Sequence, residues 1–304
     1  MKSGFVGIVG RPNVGKSTLL NAILGEKIAI TTAKPQTTRN TIRGIYTRLP
    51  GREDTDGSGG IQMVFIDTPG IHKPRNKLGE FMTDAAIGTF NEVDAIIFIV
   101  DSPIEKGPGD RYILDLLKDI DTPKILVINK IDRMGPDEFV GIYKEYEELG
   151  LFEEILGTAA IDGTGIQKVI DAAARFMPEG PMYFPEDMVT EDPLRFIVSE
   201  IIREKILLYL QDEVPHGVAV EIEQYVEEED LTRISAVIYC ERKSHKGMII
   251  GKNGRKLKGI GKSAREEIEA LTGTKVFLQT WVKVKENWRD SDIALSNFGY
   301  TDQQ

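Results

Sequence analysis

The sequence predicts an α/β domain, with a mostly parallel sheet and helices on both faces, followed by a smaller α+β domain. Three observations predict it. Through about residue 175, short apolar runs alternate with stretches of helical length, the pattern of successive βα units. Pro178, Pro181, Pro185 and Pro193 then fall within sixteen residues, a density that neither a helix nor a central strand tolerates. Beyond them the order changes to helix, strand, strand, short helix, helix, strand.

In the first domain, strands are expected over 5–9, 43–49, 61–67, 95–101, 124–129 and 154–158, and helices over 16–24, 77–90, 109–118, 136–149 and 166–176. No helical stretch separates 43–49 from 61–67, so a hairpin joins them, with a polar Gly- and Asp-rich tip over 52–60 to which no role is assigned. In the second domain a helix is expected over 193–211, strands over 218–226 and 232–240, helices over 246–250 and 255–271, and a strand over 275–285. The domain limits are therefore 1–177, a linker over 178–193, 194–285, and a tail over 286–304 carrying Trp288 and Tyr300, expected to pack and not to stack on bases.

Composition limits the partners. At 304 residues, 41% hydrophobic and 28% charged, the chain has the make-up of a water-soluble globular protein with room for two domains. A net charge of −10 argues against nucleic acid until its distribution is considered. Residues 242–289 hold 13 Lys and Arg against 4 Asp and Glu, a local +9 in a chain whose remainder sums to −19. Such a basic block is the electrostatic footprint of a nucleic-acid-binding module. The single cysteine, Cys240, allows no intrachain disulfide, and a reducing compartment is expected. No signal-peptide pattern opens the sequence, and the longest apolar run, 95–100, is far below the ~20 residues of a membrane span.

Four segments carry the chemistry. Gly10-Arg11-Pro12-Asn13-Val14-Gly15-Lys16-Ser17, with Thr18 following, fits G-x-x-x-x-G-K-S between a strand and a helix. Backbone amides of such a P-loop cradle phosphates, Lys16 reaches the β- and γ-phosphates, and the Ser17 hydroxyl ligates Mg²⁺. Asp67-Thr68-Pro69-Gly70 ends a hydrophobic strand, where Asp67 can hold Mg²⁺ through water and the Gly70 amide can meet the γ-phosphate. Asn129-Lys130-Ile131-Asp132 follows another apolar strand, and the Asp132 carboxylate can accept from guanine N1–H and its 2-amino group together. Thr158-Ala159-Ala160 is the expected backbone contact to guanine O6. In the loop Gln36-Thr37-Thr38-Arg39-Asn40, Thr37 and Thr38 both qualify to complete the Mg²⁺ shell, and Thr38 is preferred. Lys16, Thr38, Asn13 and Gly70 are the expected catalytic groups. The position after Gly70 is Ile71, counted among the nucleotide-site residues although its aliphatic side chain cannot orient water.

In the second domain, Ile250-Gly251-Lys252-Asn253-Gly254-Arg255 joins two helical stretches. A G-x-x-G loop lets an RNA backbone approach its amides while Lys252, Arg255 and Lys258 meet phosphates, as in KH domains. His72, His216 and His245 show no metal-ligand spacing.

Over nearly its full length the chain resembles the Era family of bacterial ribosome-assembly GTPases. The resemblance rests on the motifs above together with Pro178-Glu179-Gly180-Pro181, Ile201-Ile202-Arg203-Glu204-Lys205 and Glu213-Val214-Pro215-His216. It implies a type II KH domain that binds small-subunit (16S) ribosomal RNA near its 3′ end and a role in 30S subunit assembly. It also implies cytoplasmic residence with peripheral attachment to the inner membrane. Related GTPases without a water-orienting glutamine use K⁺ held partly by a P-loop asparagine, the counterpart of Asn13. The reading is thus a monomeric, slow, Mg²⁺-dependent GTPase whose GTP or GDP state controls RNA binding; the alternative is a nucleotide-gated RNA-binding module with negligible hydrolysis.

Overall fold

The computed structural model describes residues 1–32, 34, 36–51, 59–104, 108–210 and 217–300. The hairpin-tip residues 52–58 and the segment 213–216, including His216, lie outside the described residues. The chain divides into two compact units, Met1–Ala29 with Thr38–Arg75 and Gly79–Glu191, and Ile30–Thr37 with Asn76–Leu78 and Asp192–Gln304.

The first unit runs β1 (Lys2–Gly10), α1 (Lys16–Leu24), β2 (Ile42–Arg48), β3 (Ile61–Asp67), α2 (Lys77–Gly88), β4 (Ala95–Val100), α3 (Pro108–Leu117), β5 (Lys124–Ile128), α4 (Pro136–Glu147), β6 (Glu154–Gly157) and α5 (Ile166–Phe176). Its sheet has the order β2-β3-β1-β4-β5-β6, with only β2 antiparallel to its neighbour. Every residue of β4 is buried, as expected of a parallel strand covered on both faces. Helix α5 buries Ile166, Val169, Ile170 and Ala173, the one-sided spacing of a helix lying on a sheet. The parallel register brings the carboxyl ends of β1, β3 and β5 to one edge, so the loops beginning at Gly10, Asp67 and Asn129 open on a common side.

Strand β1 begins three residues earlier than the apolar run 5–9 suggests. Lys2 and Ser3 pair with Ile61 and Gln62, and a Cβ at Gly4 would fall 2.5 Å from Asp94 Oδ2. Tertiary pairing thus recruits a polar stretch that carries no strand pattern of its own. Helix α2 stops at Gly88 and tightens into a 3₁₀ turn, Thr89–Asn91, short of the expected end at residue 90.

Most of the Pro-rich segment, expected as a linker, is laid along the first unit. Gln62 is fully buried; its Oε1 accepts the Tyr183 and Phe184 amides at 2.8 and 3.0 Å, and its Nε2 donates to Phe184 O at 2.9 Å. The Ile45 amide donates to Val189 O at 2.7 Å, and Thr190 Oγ1 to Arg43 O at 2.6 Å. Prolines prevent regular structure here but not docking.

The second unit contains α6 (Leu194–Tyr209), β7 (Val218–Glu227), β8 (Leu231–Cys240), α7 (Lys243–Ile250), α8 (Arg255–Thr272), β9 (Lys275–Val284) and α9 (Asp292–Asn297). The sheet order is β7-β8-β9, antiparallel then parallel. Val198, Ile202 and Ile206 of α6 and Ile260, Ala264 and Ile268 of α8 share one core with Ile234, Ala236 and Ile238 of β8. Helix α7 starts at Lys243, before the expected residue 246, because Lys243-Ser244-His245 carries no apolar marker.

The tail packs. Trp288 is fully buried and donates from Nε1 to Gly217 O at 3.0 Å. Its ring meets Phe298 edge-on at 5.3 Å and stacks on Tyr300 at 6.0 Å. Helix α9, which has no sequence signal beyond its Ser291 cap, fills out this cluster. No helix among the described residues is long and apolar enough to cross a membrane.

Candidate nucleotide site and RNA-binding loop

Three groups separated widely in sequence converge at the end of β3. Ser17 Oγ donates to Asp67 Oδ2 at 2.6 Å. Thr38 Oγ1 lies 2.8 Å from Ser17 Oγ and donates to Asp67 Oδ2 at 3.3 Å. Asp67 is fully buried, and its Oδ1 has no hydrogen-bond partner among the described residues. Burial pushes the Asp67 carboxyl up to about 6, against the lowering effect of Lys16, Ser17 and Thr38. Two hydroxyls and a carboxylate with an unsatisfied oxygen form a compact, hard-oxygen donor set, which suits Mg²⁺. Thr37 is not part of it. Its hydroxyl sits 2.6 Å from Thr32 Oγ1 and donates to Lys34 O at 2.7 Å, which separates the two threonines that sequence left open.

Lys16 is buried and donates to Gly10 O at 3.1 Å and Arg11 O at 2.9 Å. Burial lowers its pKa to about 8, partly offset by Asp67, so the ammonium remains the main form at neutral pH. The loop around it is shaped by contacts that exclude side chains. A Cβ at Gly15, whose φ is +110°, would fall 2.2 Å from Asn129 Nδ2, and one at Gly70 would fall 2.7 Å from the Pro12 nitrogen. Asn129 Nδ2 donates to Val14 O at 2.8 Å, tying the phosphate loop to the base loop. Asn13 is exposed, with φ +67°, and its carbonyl accepts from Lys130 Nζ at 2.7 Å. Thr18 is half-buried at the start of α1.

Several expected contacts are placed elsewhere. The Ile71 side chain is fully buried in the core and its amide donates to Gly10 O at 3.1 Å; neither group faces the site. Thr68 is likewise turned inward, its Oγ1 donating to Ile8 O at 2.8 Å, and Pro69 is buried beside it. The Thr158, Ala159 and Ala160 amides donate to Ile128 O, Thr164 O and Asn129 Oδ1 at 2.8, 3.1 and 3.1 Å. That loop therefore braces Asn129, whose Oδ1 also accepts from Thr158 Oγ1 at 3.0 Å, and its amides are engaged internally. Ile131 is half-buried, and Asp132 stands at the edge with its side chain 30% exposed.

The motif patterns missed one group of residues. Arg11 turns away from the cradle and pairs with Asp110 at 2.7 Å and Asp101 at 3.0 Å. Asp101 also pairs with Lys130 at 2.7 Å. Asp110 is fully buried, and burial raises its carboxyl to about 6 despite Arg11. Asp101 follows the buried strand β4, and that position was the one signal available.

In the second unit the G-x-x-G loop joins α7 to α8 with Gly251, Asn253 and Gly254 all in left-handed conformations, φ +71°, +52° and +73°. Two glycines and an asparagine meet that demand at low cost. Ile250 packs against the core, while Lys252 and Asn253 are exposed. Arg255, Lys258, Lys262 and Arg265, spaced three and four apart on α8, line a groove of about 760 Å³ with Leu278 and Thr280 of β9. Lys262 and Arg265 continue this cationic face beyond the motif at helical spacing from Arg255.

Comparison with known proteins places both parts of the chain in known families. Residues 5–130 match the model of the 50S ribosome-binding GTPase family, and residues 213–289 that of the KH domain. The chain is 56% identical to GTPase Era of Alkaliphilus oremlandii over 98% of this chain and 99% of that protein. The Clostridioides difficile GTPase Era is also 56% identical, over 99% of each. The chain belongs to the Era GTPase family. This Era-family chain also superposes on two solved structures, each covering 99% of both chains. One is Era in complex with MgGDPNP and nucleotides 1506–1542 of 16S ribosomal RNA, with a TM-score of 0.91 at 38% identity. The other is a point variant of Aquifex aeolicus Era bound to GDP·AlF₄⁻, with a TM-score of 0.91 at 36% identity.

Proposed function

We propose that this GTPase binds GTP with Mg²⁺ at Lys16, Ser17, Thr38 and Asp67, hydrolyses it slowly to GDP, and uses the nucleotide state to control binding of 16S ribosomal RNA near its 3′ end during 30S subunit assembly. The convergence of Ser17, Thr38 and Asp67 carries the reading, since it joins the phosphate loop to two segments that can sense a γ-phosphate. When bound, Mg²⁺ neutralises charge developing on the β- and γ-phosphate oxygens. Lys16 holds those phosphates, the Gly70 amide meets the γ-phosphate, and Asp132 selects guanine. Gly251, Lys252, Asn253, Gly254, Arg255 and Lys258 hold the RNA backbone, with Ile250 supporting the loop. The functional division is 1–177 for nucleotide and 194–285 for RNA, joined by 178–193 and followed by the tail, 286–304.

The experiment is nucleotide binding and single-turnover hydrolysis by the full chain. GTP bound in preference to ATP, and cleaved only with Mg²⁺, is expected; equal acceptance of ATP would overturn the reading. Because Ile71 is turned into the core, no side chain at that position orients water. Asn13 would help hold K⁺, which would supply positive charge beside the phosphates, and turnover in K⁺ should exceed that in Na⁺ at equal ionic strength. Identical rates would remove K⁺ from the scheme. The chain acts as a cytoplasmic monomer with peripheral attachment to the inner membrane, which sedimentation and vesicle flotation test directly.

A further inference from the structure

The stretch Ile201-Ile202-Arg203-Glu204-Lys205 marks the family resemblance, yet neither catalysis nor RNA binding explains its charged residues. Arg203 and Glu204 lie on α6 with only 1% and 2% of their surface exposed, a costly placement for charges unless each is satisfied. Besides a neighbouring side chain on α6, each meets a backbone group at one end of the same loop. The Arg203 guanidinium donates to Thr37 O, while its Nε meets Glu200 Oε1 at 2.7 Å. Glu204 Oε1 accepts the Thr31 amide at 2.9 Å, and its Oε2 pairs with Lys205 at 2.7 Å. Lys34 donates to Leu210 O just beyond the end of α6. Within the loop, Thr32 and Thr37 close on each other at 2.6 Å. The segment Ile30–Thr37 accordingly belongs to the same compact unit as α6, and the next residue in the chain is Thr38.

We propose that Arg203 and Glu204 are positioning residues for GTP hydrolysis: they pin both ends of the 31–37 loop and thereby set the peptide that presents Thr38 to Mg²⁺ and the γ-phosphate. The inference rests on the Mg²⁺-GTPase reading above. The physical reason for using buried charges is reach and direction. A guanidinium can serve a carboxylate and a carbonyl at once in a fixed plane. A carboxylate accepting an amide holds the backbone and not a side chain, so the fixed quantity is the chain path leading into Thr38. Because GDP lacks the γ-phosphate, loss of the anchor acts on the GTP state selectively.

The test compares GDP and a non-hydrolysable GTP analogue on the full chain. Wild type is measured first, and failure to bind either nucleotide would overturn the GTPase reading and this proposal with it. In Glu200→Met/Arg203→Met, apolar replacement of both members keeps α6 packed while removing the donor to Thr37 O. Its affinity for the analogue should fall about tenfold while its GDP affinity stays within about twofold of wild type. The Mg²⁺ concentration needed for half-maximal analogue binding should rise, and single-turnover hydrolysis should slow. Glu204→Gln retains an acceptor for the Thr31 amide and should stay near wild type, whereas Glu204→Ala should behave like the double variant. A role confined to stability would lower the melting temperature and leave the analogue-to-GDP ratio unchanged. An unchanged ratio in both the double variant and Glu204→Ala would overturn the proposal. Should the double variant not fold, Arg203→Lys and Glu204→Ala carry the same expectation.

Discussion

Asp132, to which the proposed reading gives the choice of base, stands at the edge of the site. The side chain is partly exposed and lies 3.7 Å from Arg133; a guanine presenting its edge to it would make it a buried acceptor facing two donors. Hydrogen bonds to charged groups contribute roughly 1.5–3 kcal/mol each. Asp132→Asn replaces one acceptor oxygen with a donor, which opposes guanine and suits the 2-carbonyl of xanthine. GTP affinity should fall about a hundredfold and XTP affinity should rise, as read by competition against a fluorescent guanine nucleotide. Asp110 gives a residue-scale prediction of a different kind. Its folded-state carboxyl titrates at about 6, above its ordinary value of 3.8, because burial outweighs Arg11. The folded chain therefore holds this proton more tightly than the unfolded chain. The associated stability is fully present below about pH 4 and is lost as pH rises through about 6, on the order of 3 kcal/mol in all. Asp110→Asn removes the titration, so the melting temperature of wild type relative to the variant should climb as pH falls from about 7 to about 5. A difference that stays flat over that range would show that Asp110 ionises normally.

At the scale of elements, the turn between α7 and α8 matters more than either helix. Three residues of positive φ fold it back, and Gly254 with the cations of α8 lines one groove. A Cβ at Gly251 would meet Lys256 Cβ at 2.7 Å, while one at Gly254 meets nothing within 4 Å. Gly251→Asp with Gly254→Asp brings strain and two carboxylates to where phosphates are expected. RNA affinity should fall about a hundredfold or more, with GTP binding unchanged. A milder change, Lys258→Ala, should weaken binding of all RNA sequences similarly and flatten the dependence of log K on log salt by about 0.7 for a single-stranded contact. Gel-shift titrations across a salt series read both effects. Helix α8 shows why the element carries the site. Leu257, Ile260, Ala264 and Ile268 fix one face to the core, which leaves Arg255, Lys258, Lys262 and Arg265 on the face lining the groove.

At the scale of the whole molecule, the proposed control turns on the coupling between nucleotide state and RNA affinity. If GTP analogue and GDP change RNA binding by some factor, RNA must change the analogue-to-GDP preference by the same factor. A ratio between about 5- and 150-fold is expected. Fluorescence anisotropy of a labelled RNA in the presence of each nucleotide measures one side, and nucleotide displacement with and without RNA measures the other. Equal RNA affinities in the two states would end the control hypothesis, because a ligand without state preference shifts no equilibrium. Charge distribution supports the division of labour at this scale: a net −10 chain concentrates +9 between residues 242 and 289. Long-range attraction for a polyanion such as RNA would thereby be confined to one module.

The fold class, the strand and helix order and the loops that carry the motifs were legible in the sequence because each depends on local information. Glycine spacing permits a tight loop, apolar runs mark parallel strands, and a carboxylate at a strand end marks the open edge of the sheet. Elements bounded by their own chemistry, such as α1, β3 and α5, were placed to the residue. Tertiary structure decided whatever depended on a partner distant in sequence. It brought Thr38 against Ser17 and Asp67, turned Ile71 and Thr68 inward, engaged the Thr158–Ala160 amides with Ile128, Thr164 and Asn129, and laid the Pro-rich stretch along Gln62. It also assembled Arg11, Asp101, Asp110 and Lys130 into one charged cluster. A residue's type states what it can bond; only the packed chain determines which bond it makes, because buried polar groups take the partners that the surrounding fold brings within reach.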